Sequence, residues 1–308
     1  MTVRLGLIGG RGHTGREILR LLSRRDDLVL AMASSRELAG QAVRDTAPEL
    51  ESDIEFAAIA PDELGLASLD AVILALPNGA AAPYVAAVDP QTVIVDLSAD
   101  YRFSDDWVYG LPEIYGRDQI RGAKRIANPG CYATCGQLAI APMRDNLDGP
   151  AHVFGVSGYS GAGTTPSRKN DLAALADNLM PYALTGHIHE REMARQLGVD
   201  VRFSPHVAPF FSGLSTTVQM SLRSPMSADE VRQRYAQAYE GEALITLSGD
   251  IPEPAMVAGQ AGAMVGGWSV SEDGRQLALV SALDNLQKGA AVQALQNLAL
   301  ALGLPEYV

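Results

Sequence analysis

The first apolar run, Val3–Ile8, is nearly continuous and stops at a cluster of glycines. A short run of this kind is the pattern of a strand buried on both faces. Helical spacing takes over from about Gly12 to Ser23, and a second strand pattern follows at Leu28–Ala33. Ala71–Leu76 and Val93–Asp96 are further short buried runs. Strands alternating with helices in this way predict a parallel sheet with helices on both faces.

The pattern changes past Asn128. Tyr132–Met143 is mostly apolar and reads as a buried helix. His152–Ser157, Val201–Ser204, Thr217–Leu222 and Leu277–Leu283 read as strands with longer gaps. Ser227–Tyr239 reads as a helix, with Ser227 as N-cap and Glu230 three residues on, the spacing of a capping box. Gly289–Leu302 reads as a terminal helix. The expected fold class is therefore α/β: a parallel-sheet domain over residues 1–130 and an α+β domain with a mixed sheet over residues 131–284. No internal repeat, low-complexity tract or Gly/Ser linker is present.

A length of 308 residues suits two domains. Apolar content of 47% with 19% charged residues describes an ordinary globular chain with ample core. No run of about 18 apolar residues occurs, so no membrane helix is expected. The N-terminal apolar run leads straight into glycines without a small-residue cleavage site, which reads as a strand and not a signal peptide. Two cysteines four residues apart make no disulfide framework and fit a reducing, cytoplasmic compartment. A net charge of −12 disfavours nonspecific nucleic-acid binding. It leaves room for a phosphorylated substrate in a local basic pocket.

Both cysteines lie in Asn128-Pro129-Gly130-Cys131-Tyr132-Ala133-Thr134-Cys135. Pro129 and Gly130 break the backbone before the apolar helix, which puts Cys131 at or near its N-terminus. Unpaired N–H groups and the helix dipole there favour a thiolate, the nucleophile of covalent acyl chemistry. Cys135 lies one turn further on, inside the helix, and reads as a packing residue.

Gly9-Gly10-Arg11-Gly12-His13-Thr14-Gly15 follows the first strand and opens the first helix. The spacing of Gly9, Gly12 and Gly15 is a relative of the dinucleotide fingerprint. Such a loop lets a pyrophosphate sit on the helix N-terminus, with His13 and Thr14 beside it. The second strand ends in Ser34-Ser35-Arg36, with no acidic residue at the position that binds a ribose 2′-hydroxyl. Two serines and an arginine suit a 2′-phosphate, because Arg pairs bidentately with phosphate oxygens. The cofactor expected is NADP. His187 and His189 lie in Gly186-His187-Ile188-His189-Glu190-Arg191-Glu192. No further set with metal-ligand spacing accompanies them, so no metal is expected. The better reading couples one of them to Cys131 as general acid/base.

Taken together, GGRGHTG, ASSRELAG, LALPNGAAA, DLSADYRF, YGLPEIYG, NPGCYATC, SGYSGAG, HIHEREM and DNLQKGAAVQALQN resemble the N-acetyl-γ-glutamyl-phosphate reductase family of arginine biosynthesis, over most of the chain. The resemblance implies a Rossmann domain binding NADP (NADPH), completed by the C-terminal helix 285–308. It also implies a catalytic domain like that of aspartate-semialdehyde and glyceraldehyde-3-phosphate dehydrogenases. Cys131 would be the nucleophile. His187 or His189, with His189 preferred, would be the acid/base, with Glu192 nearby. Pro77, Asn78, Ser160, Gly161 and Asn285 would face the cofactor, and Arg102, Asn128, Ser157 and Tyr159 the substrate.

The chain departs from the family pattern at Ile188 and Arg191, at Thr164 (with Arg168 and Lys169 further on) and at Ser212. The implied reaction is reduction of a small-molecule acyl phosphate through a Cys131 thioester, by a homo-oligomer (dimer or tetramer). Rival readings are the same chemistry on aspartyl phosphate or carrier-bound aminoadipyl phosphate, a non-catalytic NADP-binding regulator, and a dehydrogenase without a covalent step.

Overall fold

A computed structural model describes residues 2–306. Residues 1, 307 and 308, the ends of the expected first domain and terminal helix, lie outside the described residues. The chain forms two compact units: the described residues up to Pro129 with those from Ala290 onward, and Gly130–Gly289. The chain therefore returns to the first unit at residue 290.

The first unit contains β1 (Val3–Ile8), α1 (His13–Leu22), β2 (Leu28–Ser34), β3 (Phe56–Ala57), α2 (Pro61–Gly65), β4 (Ala71–Leu74), α3 (Ala82–Ala87), β5 (Val93–Asp96), β6 (Val108–Tyr109), α4 (Pro112–Tyr115) and β7 (Arg125–Ala127). Its seven strands pair in parallel, in the order β3-β2-β1-β4-β5-β7-β6. β4 and β5 are buried at every position, which is why their sequences do not alternate. α1 buries one stripe, including Ile18, Leu19 and Leu22. The terminal helix, Val292–Leu302, is buried along all but its last residue and packs against β5 and α1. It passes so close to Gly110 that a Cβ there would lie 2.2 Å from Asn297 Nδ2. Strand order reverses between β1 and β4, so the loops that follow them leave the sheet side by side, at the switch point where open α/β sheets bind ligands.

The second unit contains α5 (Cys131–Ile140), β8 (Ala151–Gly158), α6 (Leu172–Leu175), β9 (Met180–Pro181), α7 (Ile188–Leu197), β10 (Val201–Ala208), β11 (Leu214–Ser221), α8 (Ala228–Ala238), β12 (Ile245–Ser248), α9 (Pro254–Val257), β13 (Ala263–Val270) and β14 (Gln276–Leu283). Its mixed sheet runs β12-β13-β14-β11-β8-β10-β9. Alternating burial along β8 and β11 leaves one sheet face packed and one open. α5 packs against β11 and β14, α7 against β10 and α8 against β13. Nine of the ten residues of α5 are buried, as expected for a helix apolar all round. Gly136 lets α7 approach: a Cβ there would lie 2.3 Å from Met193 Sδ. The capping box expected at Ser227 and Glu230 forms. A π-helical turn, Gln287–Ala291, precedes the terminal helix.

Candidate active site

In the second unit Cys131 is the first residue of α5. Gly130 caps the helix in extended conformation, with no side-chain cap and no acidic residue in the first turn. The helix N-terminal N–H groups and their positive field are therefore available to the half-buried Cys131 side chain. Gly289 passes close by: a Cβ there would lie 2.7 Å from Cys131 Cβ. The Gly130 N–H donates to Glu192 Oε1 at 2.9 Å, and Glu192 is wholly buried. One turn later, the Cys135 thiol donates to Ser281 O at 3.1 Å and accepts from Thr216 Oγ1 at 3.3 Å. Burial pushes that thiol up to about 12, against the pull of both hydrogen-bond partners. It is inert at neutral pH.

The two histidines differ in a way their spacing did not reveal. His187 is the N-cap of α7, its Nδ1 accepting the His189 N–H at 3.1 Å. Glu190 reaches back to the Gly186 N–H (2.9 Å) and across to the Phe203 N–H on β10 (2.8 Å), fixing the start of the helix. The His187 ring sits among Tyr182, His189 and Phe203, at centroid distances of 5.5, 4.8 and 5.3 Å. Burial, aided by the Lys169 charge and opposed by Glu190, lowers its pKa to about 4. His187 is thus a neutral ring with one nitrogen already engaged. The His189 ring lies 6.1 Å from that of Tyr132, the residue after Cys131. Three residues on, Glu192 meets Gly130, so one face of α7 is turned to the start of α5.

Ser157, Tyr159, Ser160 and Gly161 form the end of β8 and the turn after it. Ser157 Oγ donates to Gly158 O (3.0 Å), and the N–H groups of Tyr159 and Ser160 bond Phe210 O and Phe211 O. Asn285 is buried. Its amide donates to Ser160 Oγ (2.9 Å) and accepts from the Gly213 N–H (3.0 Å), so it fastens this turn.

The first unit gathers the other candidates. Gly9 adopts φ +98°, and a Cβ on it would lie 2.2 Å from Ala75 O, in the loop after β4. A Cβ on Gly15 would lie 2.5 Å from Gly9 O. Gly12 caps α1 without a side-chain cap or an acidic residue in the first turn, and a Cβ there would meet only Gly9 O, at 3.8 Å. His13 and Thr14 open the helix half-buried. Burial lowers the pKa of His13, aided by Arg16. Ser34 O accepts from the N–H groups of Gly9 and Gly10, and Ser35 is buried beside it. Arg36 is exposed, with no side-chain partner among the described residues. Pro77 is exposed, and Asn78 accepts the Ala99 N–H at 2.9 Å. An uncapped helix N-terminus at the switch point and an unengaged guanidinium past β2 fit a dinucleotide's phosphates.

Arg102 donates to Asn128 O (2.9 Å) and Leu97 O (2.7 Å), and Asn128 Oδ1 accepts from Asn297 (3.0 Å). Asp96, absent from the sequence candidates, ends β5 fully buried and accepts from Ser98 Oγ at 2.5 Å. Burial lifts its pKa to about 6, against Ser98 and Arg102. A lone carboxylate closing the apolar run Val-Ile-Val-Asp was the trace it left in the sequence.

Among the described residues, no group of three or more His, Cys, Asp or Glu side chains has a metal-binding arrangement. No helix among them is long and apolar enough to cross a membrane.

Comparison with known families matches residues 4–123 to the semialdehyde dehydrogenase NAD-binding domain and residues 131–285 to the semialdehyde dehydrogenase dimerisation domain. Solved structures with the same fold include aspartate semialdehyde dehydrogenase II of Vibrio cholerae complexed with ASA (TM-score 0.77, 19% identity, 97% of this chain and 98% of that one). The Candida albicans enzyme with NADP is similar (TM-score 0.76, 18% identity, 97% and 98%). The fold and the matched domains define a nicotinamide-dependent oxidoreductase of the phosphorylating aldehyde dehydrogenase type. Among sequence relatives, the N-acetyl-gamma-glutamyl-phosphate reductase of Stenotrophomonas maltophilia is 53% identical over 99% of this chain and 97% of its own length. That of Xanthomonas campestris is 51% identical over 98% and 96%. The chain belongs to the N-acetyl-γ-glutamyl-phosphate reductase family.

Proposed function

We propose that the chain reduces N-acetyl-L-glutamyl 5-phosphate to N-acetyl-L-glutamate 5-semialdehyde with NADPH, in the cytoplasm, as a step of arginine biosynthesis and as a homodimer or homotetramer. The names of the half-identical relatives support the substrate. The observation that carries the chemistry is the half-buried Cys131 at the uncapped start of α5, with α7 packed against it.

A carboxylate resists hydride attack, whereas an acyl phosphate carries a good leaving group. Cys131 Sγ attacks the acyl carbon as thiolate, its charge stabilised by the N-terminus of α5, and phosphate leaves with the C–O bonding pair. The product of this step is a thioester on Cys131. NADPH, when bound, supplies the hydride. Backbone N–H groups at the start of α5 stabilise negative charge on the former carbonyl oxygen. His189 holds the proton that moves between that oxygen and the site as the C–S bond breaks, releasing the aldehyde and the Cys131 thiolate. His187 cannot share this work while its Nδ1 caps α7. Glu192 positions the backbone just before Cys131 by accepting the Gly130 N–H. In the first unit, Gly12, His13 and Thr14 would hold the pyrophosphate and Arg36 the 2′-phosphate. Asn285 would act through the Ser160 turn that it fastens.

The test is the reverse reaction: oxidation of N-acetylglutamate semialdehyde with NADP and inorganic phosphate. Phosphate-dependent NADPH formation, with aspartate semialdehyde a poor substrate, is expected. Activity that ignores phosphate, or prefers aspartate semialdehyde, would overturn the reading.

A further inference from the structure

Between the turn at Tyr159–Ala162 and α6 runs a polar loop containing Lys169. Asn170 closes that loop: its amide donates to Gly163 O (2.9 Å) and Thr165 O (2.8 Å), and its Oδ1 accepts the Ser167 N–H (2.8 Å). Asp171 then caps α6 through the Ala173 N–H (3.0 Å). Lys169 thus projects from a backbone fixed on both sides.

Its ammonium lies over the Tyr182 ring, 4.8 Å from the centroid. Tyr182 follows β9 and is held by its own N–H to Pro205 O (3.2 Å), with Ala183 next to it at φ 42°. A non-glycine residue in that left-handed region is strained, and such strain collects where a side chain must be aimed. Tyr182 is half-buried, and burial, with a smaller contribution from the Cys131 charge, raises its hydroxyl pKa. His187 packs edge-to-face against its ring. Tyr182 therefore has Lys169 over its face and His187 at its edge.

Lys169 is half-buried, and among the described residues its ammonium has neither a carboxylate partner nor a hydrogen bond. The chain carries 36 acidic residues against 24 basic ones, so an acid-free cation beside the imidazoles stands out. A partly desolvated cation is costly unless paired, and the ring face compensates only in part. A bound anion would supply the rest.

We infer that Lys169 binds the free carboxylate of the substrate, the one remote from the reacting acyl group. This rests on the substrate reading given above. The departing phosphate leaves the carbon that Cys131 attacks, so its cation must adjoin Sγ. The free carboxylate is separated from that carbon by three others, and Lys169 stands on the Tyr182 ring, which meets the His187 ring, itself 4.8 Å from that of His189. A charge-assisted hydrogen bond at this point makes Lys169 a specificity-determining residue.

The test is the reverse assay on two aldehydes: N-acetylglutamate semialdehyde, and 4-acetamidobutanal, the same molecule without the carboxylate. Lys169→Met should lower kcat/KM for the first by roughly 10- to 100-fold, mostly through KM. It should leave KM for phosphate unchanged and kcat/KM for 4-acetamidobutanal within about twofold, which also shows that the variant is folded. Lys169→Arg should recover part of the loss. Equal loss on both aldehydes, a rise in KM for phosphate instead, or no loss at all would overturn the inference while leaving the substrate reading in place. A wild-type protein that does not turn over N-acetylglutamate semialdehyde would overturn both.

Discussion

The first turn of α5 has uncapped N–H groups at Cys131, whereas Cys135, one turn on, has its thiol held between Ser281 and Thr216 in the core. Cys131→Ser should therefore lose at least about a thousandfold in the phosphate-dependent assay, because the alkoxide that must replace the thiolate is far harder to form. Cys135→Ser should retain most activity, and iodoacetamide at pH 8 should label Cys131 alone, read by peptide mass spectrometry.

Two other side chains give opposite pH signatures. His187 has its pKa lowered from 6.5 to about 4, so between those values the unfolded chain holds more protons and stability falls as the solution is acidified. Asp96 has its pKa raised from 3.8 to about 6, so the folded chain holds more protons there, and the stability it lends below pH 3.8 is lost as pH rises through 6. His187→Asn, which keeps an N-cap acceptor, should flatten the acid-side loss of thermal midpoint. Asp96→Asn should steepen that loss and raise the midpoint at pH 8. Unchanged midpoint-versus-pH curves in both variants would contradict these assignments.

At the scale of elements, the close approach of α5 and α7 at Gly136 and Met193 joins the cysteine to the histidine helix. Gly136→Ala should destabilise by about 1–3 kcal/mol through overpacking and lower kcat as α7 is displaced. Adding Met193→Ala makes room for the methyl group, so the double variant should be less destabilised than the sum of the singles in urea titrations. α7 is also the element that the sequence conceals best. Its buried residues are Glu192, Met193 and Leu197, and a buried glutamate interrupts the apolar stripe that announces a helix. A histidine cap hides its start, since the common caps are Ser, Thr, Asp and Asn. β13 is masked in another way, by Gly266 and Gly267 in its middle, where the pairing register shifts. By contrast β1 and β5 coincide with their apolar runs, because two-sided burial leaves only Arg4 in β1 and the closing Asp96 in β5 polar. Cys131 was readable from Pro129 and Gly130 before an apolar helix. The unequal surroundings of the two histidines were not, because a hydrogen bond within a single turn, from the His189 N–H to His187 Nδ1, sets them apart.

For the whole molecule, the parallel sheet and its uncapped α1 make cofactor binding measurable as stability. NADPH should raise the thermal midpoint more than NADH at equal concentration, since a ligand bound only to the folded state stabilises in proportion to the logarithm of its concentration over Kd. Arg36→Ala should remove most of that difference without changing the midpoint of the free protein. Equal shifts by both nucleotides in the wild type would refute the 2′-phosphate assignment.

The first unit is written in two pieces, and its second piece is the terminal helix packed on β5 and α1. A ribosome makes the chain from one end to the other, and domains generally fold as units during synthesis. The parallel sheet, although begun first, waits for its last helix until residue 290 and beyond have emerged. The middle unit has every strand and helix it needs by residue 289. Birth order and completion order are thus reversed: the part of the enzyme that carries the thiol is whole before the part that holds the nucleotide can close.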